Sequence, residues 1–170
     1  IYLFKNIGFS KLGFLNLYKN LKIPSALRKK SLKQFLQPKF YKYFDIFNIL
    51  PINSSMDISD SLYSTIKEMA RQSNKKFVID NLSSVNTTLS NNLSYNKYMK
   101  LILSSGEEYV PVFTMPKDNL KKNTISLFKK RGIELVKIGN VKRGRGLIFQ
   151  NFDIKNINSY NHFSENYLKL

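Results

Sequence analysis

Residues 56–70 read MDISDSLYSTIKEMA, an acidic turn followed directly by a regular apolar repeat. Leu62 and Ile66 are four residues apart, and the apolar residues that follow continue the same helical face. Asp57 and Asp60 are three residues apart, which would place them on one side of a first helical turn. The stretch therefore predicts an amphipathic helix that begins at a turn rich in carboxylates.

Apolar runs on both sides of this stretch predict strands that alternate with helices. The interleaving indicates the α/β (α+β) class, with a mixed β-sheet flanked by helices, and the absence of an internal linker indicates one domain over 1–170. Pro111 has no N–H donor, so its strand is expected at a sheet edge or a bulge. Strands are expected at 1–4, 77–79, 109–115, 134–141 and 147–149, helices at 9–18, 25–37, 41–50, 62–70, 95–103 and 120–131, and a polar loop at 81–94.

The composition excludes several classes of protein. The chain has no Cys and one His, which excludes disulfides, thiolate or histidine-rich metal sites and a cysteine nucleophile. No apolar run approaches the roughly 18 residues of a membrane span. Because the sequence begins at Ile1 with no Met, we expect a fragment whose upstream partner domain has been removed, and the lack of Cys fits a reducing, cytoplasmic location.

The positive charge is uneven along the chain. The net charge is +17, yet 54–115 holds six basic and six acidic residues, whereas 1–50 holds ten basic and one acidic. An excess of lysine favours binding to an anionic partner such as nucleic acid or a nucleotide. Compositional drift explains the excess of lysine equally well. More than half of the acidic residues lie in the neutral segment, which is where chemistry based on carboxylates is expected.

The acidic turn has two interpretations. Asp57 and Asp60 could hold Mg²⁺, which prefers one or two carboxylates together with phosphate oxygens and water. Alternatively, Asp57 is the N-cap and Asp60 its N3 partner in a capping box. The turn taken alone favours the cap.

Three weaker motifs follow. Adjacent carboxylates in GEEY at 106–109 could receive donors of a ligand at a sheet edge, but in isolation a solvated turn is favoured. The segment SYNHF at 159–163 places aromatic residues beside the only His, and RGRG at 143–146 could contact nucleic acid through a hairpin turn.

Taken in order, four segments resemble one known family. They are IYL with Gly8, Ser10 and Gly13; MDISDSL at 56–62; GEEY at 106–109; and YNHF at 160–163. They are similar to the strand, glycine turn and helix, and to the D-I-S-D-G-L, G-G-E-D-Y-E and G-Y-D-H-F motifs, of the C-terminal half of the thiamine-monophosphate kinases. This family belongs to the aminoimidazole-ribonucleotide-synthetase-like superfamily, and the resemblance covers almost the whole chain.

The resemblance implies an ATP-dependent, Mg²⁺-requiring kinase that converts thiamine monophosphate to thiamine diphosphate. It implies that Asp57 and Asp60 bind Mg²⁺, Ser59 contacts the nucleotide phosphates, Glu107 binds the thiamine moiety and Tyr160 lines its ring. No catalytic residue is assigned to this chain. The resemblance also implies an absent N-terminal domain that binds ATP and forms a homodimer, so the fragment alone is expected to be inert.

Departures from the family pattern keep two alternatives open. Glu108 stands where the family has Asp, and Ser61 and Ser105 stand where it has Gly; further departures are at Phe4, Lys5, Phe9, Val110, Ser159 and Asn161. A relative that keeps the fold without the activity is therefore the first alternative. The second is a basic nucleic-acid-binding or ribosome-associated module, which predicts that the lysines and arginines of 1–50 and 116–146 form one contiguous face.

Overall fold

The computed structural model describes residues 1–19, 21–117 and 119–153, in which helices alternate with strands as expected. The helices are α1 (Phe9–Lys19), α2 (Ser25–Leu36), α3 (Phe44–Phe47), α4 (Leu62–Ser73), α5 (Thr87–Asn92), α6 (Tyr95–Leu103) and α7 (Lys122–Lys130). The strands are β1 (Tyr2–Phe4), β2 (Ser54–Asp57), β3 (Lys76–Ile79), β4 (Pro111–Thr114), β5 (Leu135–Lys137), β6 (Gly139–Lys142) and β7 (Gly146–Phe149).

The strands form two sheets. The larger sheet has the order β2-β4-β1-β5 and is antiparallel throughout, with Leu3 of β1 opposite Val112 on one side and Val136 on the other. The smaller sheet has the order β6-β3-β7 and is mixed, because β3 pairs antiparallel with β6 and parallel with β7. The expected class of helices with a mixed β-structure is confirmed.

One core joins the two sheets. Helix α4 packs against β2 of the larger sheet and β7 of the smaller one. Leu3 and Phe113 of the larger sheet, Phe77 of the smaller sheet, and Ile66 and Ile102 of the helices are fully buried in the same apolar cluster. Within the described residues, no helix is long and apolar enough to cross a membrane.

Two of the expected strands need correction. The run expected as one strand at 134–141 is divided, because β5 ends at Lys137 in the larger sheet and β6 begins at Gly139 in the smaller sheet. A side chain at Gly139 would collide with the backbone of Val78, so glycine permits this close crossing. The expected hairpin at 143–146 is also wrong, since β6 and β7 lie on opposite sides of β3.

Pro111 does not mark an edge strand. Strand β4 lies inside the larger sheet, between β2 and β1. Pro111 is the first residue of β4 and is opposite Asp57 of β2, whereas the register with β1 involves only Val112 and Phe113. Proline is tolerated there because it stands at the beginning of the strand, before the ladder with β1.

Two helical regions also differ from expectation. The stretch expected to be helical at 41–50 forms only the short α3, from which Phe47 packs on the core, while Tyr41 and Tyr43 pack on it from irregular positions. The loop expected at 81–94 contains α5, whose N-cap is the buried Asn86. The Asn86 side chain accepts from the Leu89 amide and donates to the Ile7 carbonyl at 2.8 Å, which ties this polar segment to the core.

Candidate functional site

The acidic turn and the GEEY turn lie side by side and are joined through their backbones. The Glu107 amide donates to the Ser59 carbonyl at 2.6 Å, and the Glu108 amide donates to the Ile58 carbonyl at 3.2 Å. The Leu62 amide donates to the Ser105 carbonyl at 3.0 Å. Because the two turns extend β2 and β4 beyond their shared ladder, the sheet register fixes which residues of the turns meet.

Gly106 permits this close approach. A Cβ atom at this position would collide with the backbone carbonyls of Ser59 and Asp60. The backbone of Gly106 is therefore packed directly on the acidic turn, at a distance that only glycine allows.

The two neighbouring glutamates point in different directions. Glu107 is exposed, whereas Glu108 is only 3% exposed. The Glu108 carboxylate accepts from the Gly8 amide at 2.6 Å, from the Ser105 hydroxyl and from the Ser10 backbone. Burial raises the pKa of Glu108 to about 7, and these hydrogen bonds oppose the rise. The solvated turn favoured from sequence is therefore wrong for Glu108.

The backbone on either side of Glu108 is left-handed. Glu107 has φ 54° and Tyr109 has φ 50°. This conformation is uncommon for residues other than glycine and costs about 1 kcal/mol or more at each position. The hydrogen bonds of the two turns hold it in place, which directs the Glu107 side chain outward while Glu108 faces the interior.

A cavity of about 470 Å³ lies next to the joined turns. The acidic turn and the GEEY turn contribute one part of its wall, through Ser59, Asp60, Gly106, Glu107 and Tyr109, together with Ser104. Helices α1 and α2 contribute the other part, through Ser10, Lys11, Phe14 and Phe35.

The cavity carries both signs of charge beside aromatic rings. The Lys11 ammonium lies 5.3 Å from the centroid of the Phe14 ring, and the Phe14 and Phe35 rings are in edge contact. Burial lowers the pKa of Lys11. The positive charge of Lys19 lowers this pKa further, whereas the Glu107 carboxylate raises it. A ligand with a cationic ring and an anionic group has complementary partners here.

The acidic turn is not a capping box. Helix α4 begins at Leu62, and its N-cap is Ser61, whose hydroxyl accepts from the Ser64 amide at 3.0 Å. The interpretation favoured from the turn alone, with Asp57 as N-cap and Asp60 as N3, is wrong because both aspartates precede the cap. They are left on the surface, outside the helix.

The two aspartates could supply some of the ligands of a metal ion, but not a complete set. Both are exposed, and no ion pair or side-chain hydrogen bond of either carboxylate is found in the described part of the chain. Exposed carboxylate oxygens suit Mg²⁺, which binds through few protein ligands. No group of three or more possible ligands occurs among the described residues, and Asp57, unlike Asp60, does not line the cavity. The described residues would therefore supply at most two carboxylates to such a metal.

Curated relatives match this chain over most of its length. A thiamine-monophosphate kinase of Nitrosopumilus maritimus is 38% identical over 122 residues, which cover 71% of this chain and 38% of the relative. A thiamine-monophosphate kinase of Buchnera aphidicola is 32% identical over 173 residues, which cover 96% of this chain and 52% of the relative. The chain is homologous to part of the thiamine-monophosphate kinases. It spans about half the length of these relatives or less, and no family model matches it.

Solved structures show the same fold. The thiamine-monophosphate kinase of Stenotrophomonas maltophilia has a TM-score of 0.72 at 20% identity, with 88% of this chain and 49% of that chain covered. AaThiL complexed with AMPPCP and TMP has a TM-score of 0.67 at 21% identity, with 95% and 50% covered. The hydrogenase maturation protein HypE has a TM-score of 0.56 at 12% identity, with 99% and 55% covered. The fold is the one that these two groups of proteins share, the aminoimidazole-ribonucleotide-synthetase-like fold.

The structure brings together three of the five residues singled out by the kinase resemblance. Ser59, Asp60 and Glu107 line one cavity, while Asp57 lies on the adjoining strand β2. Burial raises the pKa of Tyr43, and the Asp57 carboxylate raises it further. Tyr160, like the rest of the closing YNHF motif, lies outside the described residues. The roles assigned to all five stay predictions.

Sequence reasoning missed the contribution of the first two helices. Phe14 and Phe35 are apolar residues of helical runs, and nothing in their spacing separates a cavity wall from a core position. Glu108 was noted as one of two adjacent carboxylates and as a departure from the kinase pattern, but no local signal separated it from Glu107.

Proposed function

We propose that the protein containing this chain is an ATP-dependent thiamine-monophosphate kinase, and that this chain forms its C-terminal substrate-binding region. In this reaction the γ-phosphoryl group of ATP passes to the phosphate of thiamine monophosphate, giving thiamine diphosphate and ADP. Positioning and charge neutralisation account for most of the rate enhancement in phosphoryl transfer, and no covalent help from the protein is needed.

The cavity with both signs of charge is the observation that supports this proposal. Thiamine monophosphate has a cationic ring and an anionic phosphate. Glu107 and the aromatic rings of Phe14 and Phe35 suit the cation, and the Lys11 ammonium suits the phosphate. A ligand with only one of these two groups would leave part of the cavity without a partner.

The metal and the nucleotide belong to the same proposal. Asp57 and Asp60 would hold Mg²⁺, which neutralises phosphate charge when bound. Ser59 would contact the nucleotide phosphates, and its neighbours are fixed by the backbone bonds between the turns. AaThiL was solved in complex with AMPPCP and TMP, which is consistent with a nucleotide and a substrate bound to a protein of this fold.

The remaining parts of the site would come from outside this chain. Because the relatives are about twice as long, we propose that an N-terminal domain completes the ATP site and forms a homodimer, and that 1–170 is a single C-terminal domain. The chain alone is then inactive, since its described residues offer at most two carboxylates to the metal. The proposal includes a cytoplasmic location, where ATP and Mg²⁺ are available.

The test is an assay of the natural chain, including any residues that precede Ile1. We expect formation of thiamine diphosphate that depends on both ATP and Mg²⁺, with thiamine itself a poor acceptor because it has no phosphate. Glu107→Gln removes the negative charge opposite the ring, so KM for thiamine monophosphate should rise about tenfold.

Glu134→Gln is the matched control. Glu134 is an exposed glutamate that pairs with Lys5 at 3.3 Å and does not line the cavity, so its KM should be unchanged. An intact, folded chain that binds neither substrate and gives no ATP-dependent turnover would favour the non-catalytic relative instead. Binding that weakens steeply with salt, to nucleic acid only, would favour the basic module.

A further inference from the structure

Glu108 lies where three segments of the candidate site meet. Its carboxylate accepts hydrogen bonds from residues 8–10 at the start of α1 and from Ser105 before the GEEY turn, and its own amide is bonded to Ile58 of the acidic turn. All three segments contribute residues to the cavity, or lie next to residues that do.

The start of α1 depends on an acceptor at this position. The first amides of a helix have no partner within the helix. Gly8 and Ser10 donate to the Glu108 carboxyl group, which gives these amides an acceptor. Gly8 has φ 98°, and its Cβ position is occupied by the Ile102 and Leu89 side chains, so this turn requires glycine. Lys11 and Phe14, which line the cavity, follow in the next turn.

The GEEY turn depends on the same carboxylate. Glu107 and Tyr109 are held in left-handed conformations on either side of Glu108, and such strain persists only where surrounding contacts fix it. Without the bonds of the Glu108 side chain, the turn can relax toward ordinary backbone angles. The Glu107 carboxylate would then leave its position opposite Lys11 and Phe14.

We propose that Glu108 is a positioning residue, which joins the N-terminus of α1 to the GEEY turn and thereby holds Glu107 and Lys11 on facing sides of the cavity. The proposal rests on the proposed function only for the identity of the ligand. Glu108 is buried and touches no ligand itself, so it acts through Glu107 and through α1. Removing its carboxylate should therefore weaken ligand binding in the same way as removing that of Glu107.

The first test measures position without using activity. Amide hydrogen exchange by NMR compares Glu108→Ala, which removes the acceptor oxygen that glutamine would keep, with the unchanged protein under conditions in which both unfold cooperatively. The Glu107 amide, which donates to Ser59 and not to Glu108, should exchange at least about tenfold faster in the variant, because its turn is released. The Lys75 amide lies just after α4 and donates to the Ala70 carbonyl, and its exchange rate should be unchanged. Unchanged protection at Glu107 would overturn the proposal whether or not the chain is active.

The second test is a double-mutant cycle in the natural chain. Glu107→Gln and Glu108→Ala should each raise KM for thiamine monophosphate about tenfold with a smaller change in kcat, and the double variant should be no worse than either alone. Additive effects, with the double variant about a hundredfold worse, would mean that Glu108 does not act through Glu107.

The two proposals fail in different ways. A rise in KM for Glu107→Gln without one for Glu108→Ala would overturn the positioning role and leave the kinase intact. An inactive natural chain would overturn the kinase, and the exchange experiment would still decide the role of Glu108. If Glu108→Ala does not fold, Ser105→Ala takes its place in both experiments, since it removes one donor to the carboxylate and leaves the buried glutamate present.

Discussion

The two ends of the larger sheet are built differently. At one end, β2 and β4 continue into the acidic and GEEY turns, which are joined by backbone hydrogen bonds and by the buried Glu108. At the other end, Ser54 and Thr114 are ladder partners whose hydroxyls also bond at 2.7 Å, and the Asn53 amide donates to the Thr114 carbonyl at 2.9 Å, beside an open cavity of about 550 Å³. Exposed lysines line that second cavity, namely Lys75, Lys117 and Lys137.

The two ends of the larger sheet differ in the polar groups that hold their backbones in place. The end that is held by buried polar groups also carries Ser59, Asp60 and Glu107, whose side chains remain exposed on a fixed backbone. Among the described residues, the opposite end has charged side chains on flexible stems and no buried carboxylate. Preorganised groups are what phosphoryl transfer requires, so the comparison supports the first end as the candidate site. The following changes test the comparison from the largest expected effect to the smallest.

Gly106→Ala should be the most damaging change. The added methyl group meets the carbonyls of Ser59 and Asp60, which belong to the backbone and cannot turn away, so the free energy of unfolding should fall by about 3 kcal/mol. Denaturant unfolding measures it. Gly146→Ala is the control, because its φ is 110° but nothing lies within 4 Å of the new methyl group, and we expect a loss of about 1 kcal/mol there. Equal losses at the two positions would contradict the close packing of the turns.

Ionisation of Glu108 should make the protein less stable as pH rises. Burial raises the pKa of Glu108 from 4.5 to about 7. The folded state therefore holds the proton more tightly than the unfolded chain, and unfolding releases it between these two pH values. The free energy of unfolding should fall by about 3 kcal/mol as pH rises through this window, and level off above it, because a tenfold change in proton affinity is worth about 1.4 kcal/mol.

The Glu108→Gln variant isolates this titration from all others. Urea unfolding at several pH values, for the variant and the unchanged protein, gives the difference in slope that belongs to Glu108 alone. Parallel curves would mean that the carboxyl titrates alike in the folded and unfolded states.

Ser61→Ala removes the N-cap of α4. The Ser64 amide loses its acceptor in a nearly buried position, so we expect a loss of about 1 kcal/mol in the free energy of unfolding. Asp57→Asn and Asp60→Asn serve as comparisons, and should change stability much less because neither aspartate caps the helix. A larger loss for Asp57→Asn than for Ser61→Ala would restore the capping box.

Ser54→Ala at the opposite end should have the smallest effect. The variant removes the hydroxyl partner of Thr114 at a half-buried position, so the free energy of unfolding should fall by about 0.5 to 1 kcal/mol. KM and kcat should not change. Kinetic effects as large as those of Glu107→Gln would show that the two ends of the sheet share one function.

Local patterns predicted the helices better than the strand partners. Helix α6 was predicted at its observed bounds, and α4 was predicted from the spacing of Leu62, Ile66 and Met69, because both helices place apolar residues on one face. The transfer of the chain from one sheet to the other at Gly139 was missed, since a strand signal does not say which sheet receives it. Asn86 was missed for a related reason, because a buried asparagine looks like a loop residue until its partners are known.

The candidate site was predicted through order and spacing of motifs, and only in part. The resemblance to the kinases named Ser59, Asp60 and Glu107, which lie on one cavity. It did not separate the exposed Glu107 from the buried Glu108, because a turn with left-handed residues does not follow from sequence alternation. The aromatic wall from α1 and α2 depends on how two helices pack, which no local pattern contains.

The strand order has a consequence for synthesis of the chain. In the described structure, every ladder of either sheet includes a strand that begins at Pro111 or later, and β1, β2 and β3 pair with none of one another. A nascent polypeptide that ends before that residue can form helices, but neither sheet. Assembly of either sheet must therefore await synthesis of the residues from Pro111 onward, and the earlier apolar strands stay unpaired until then.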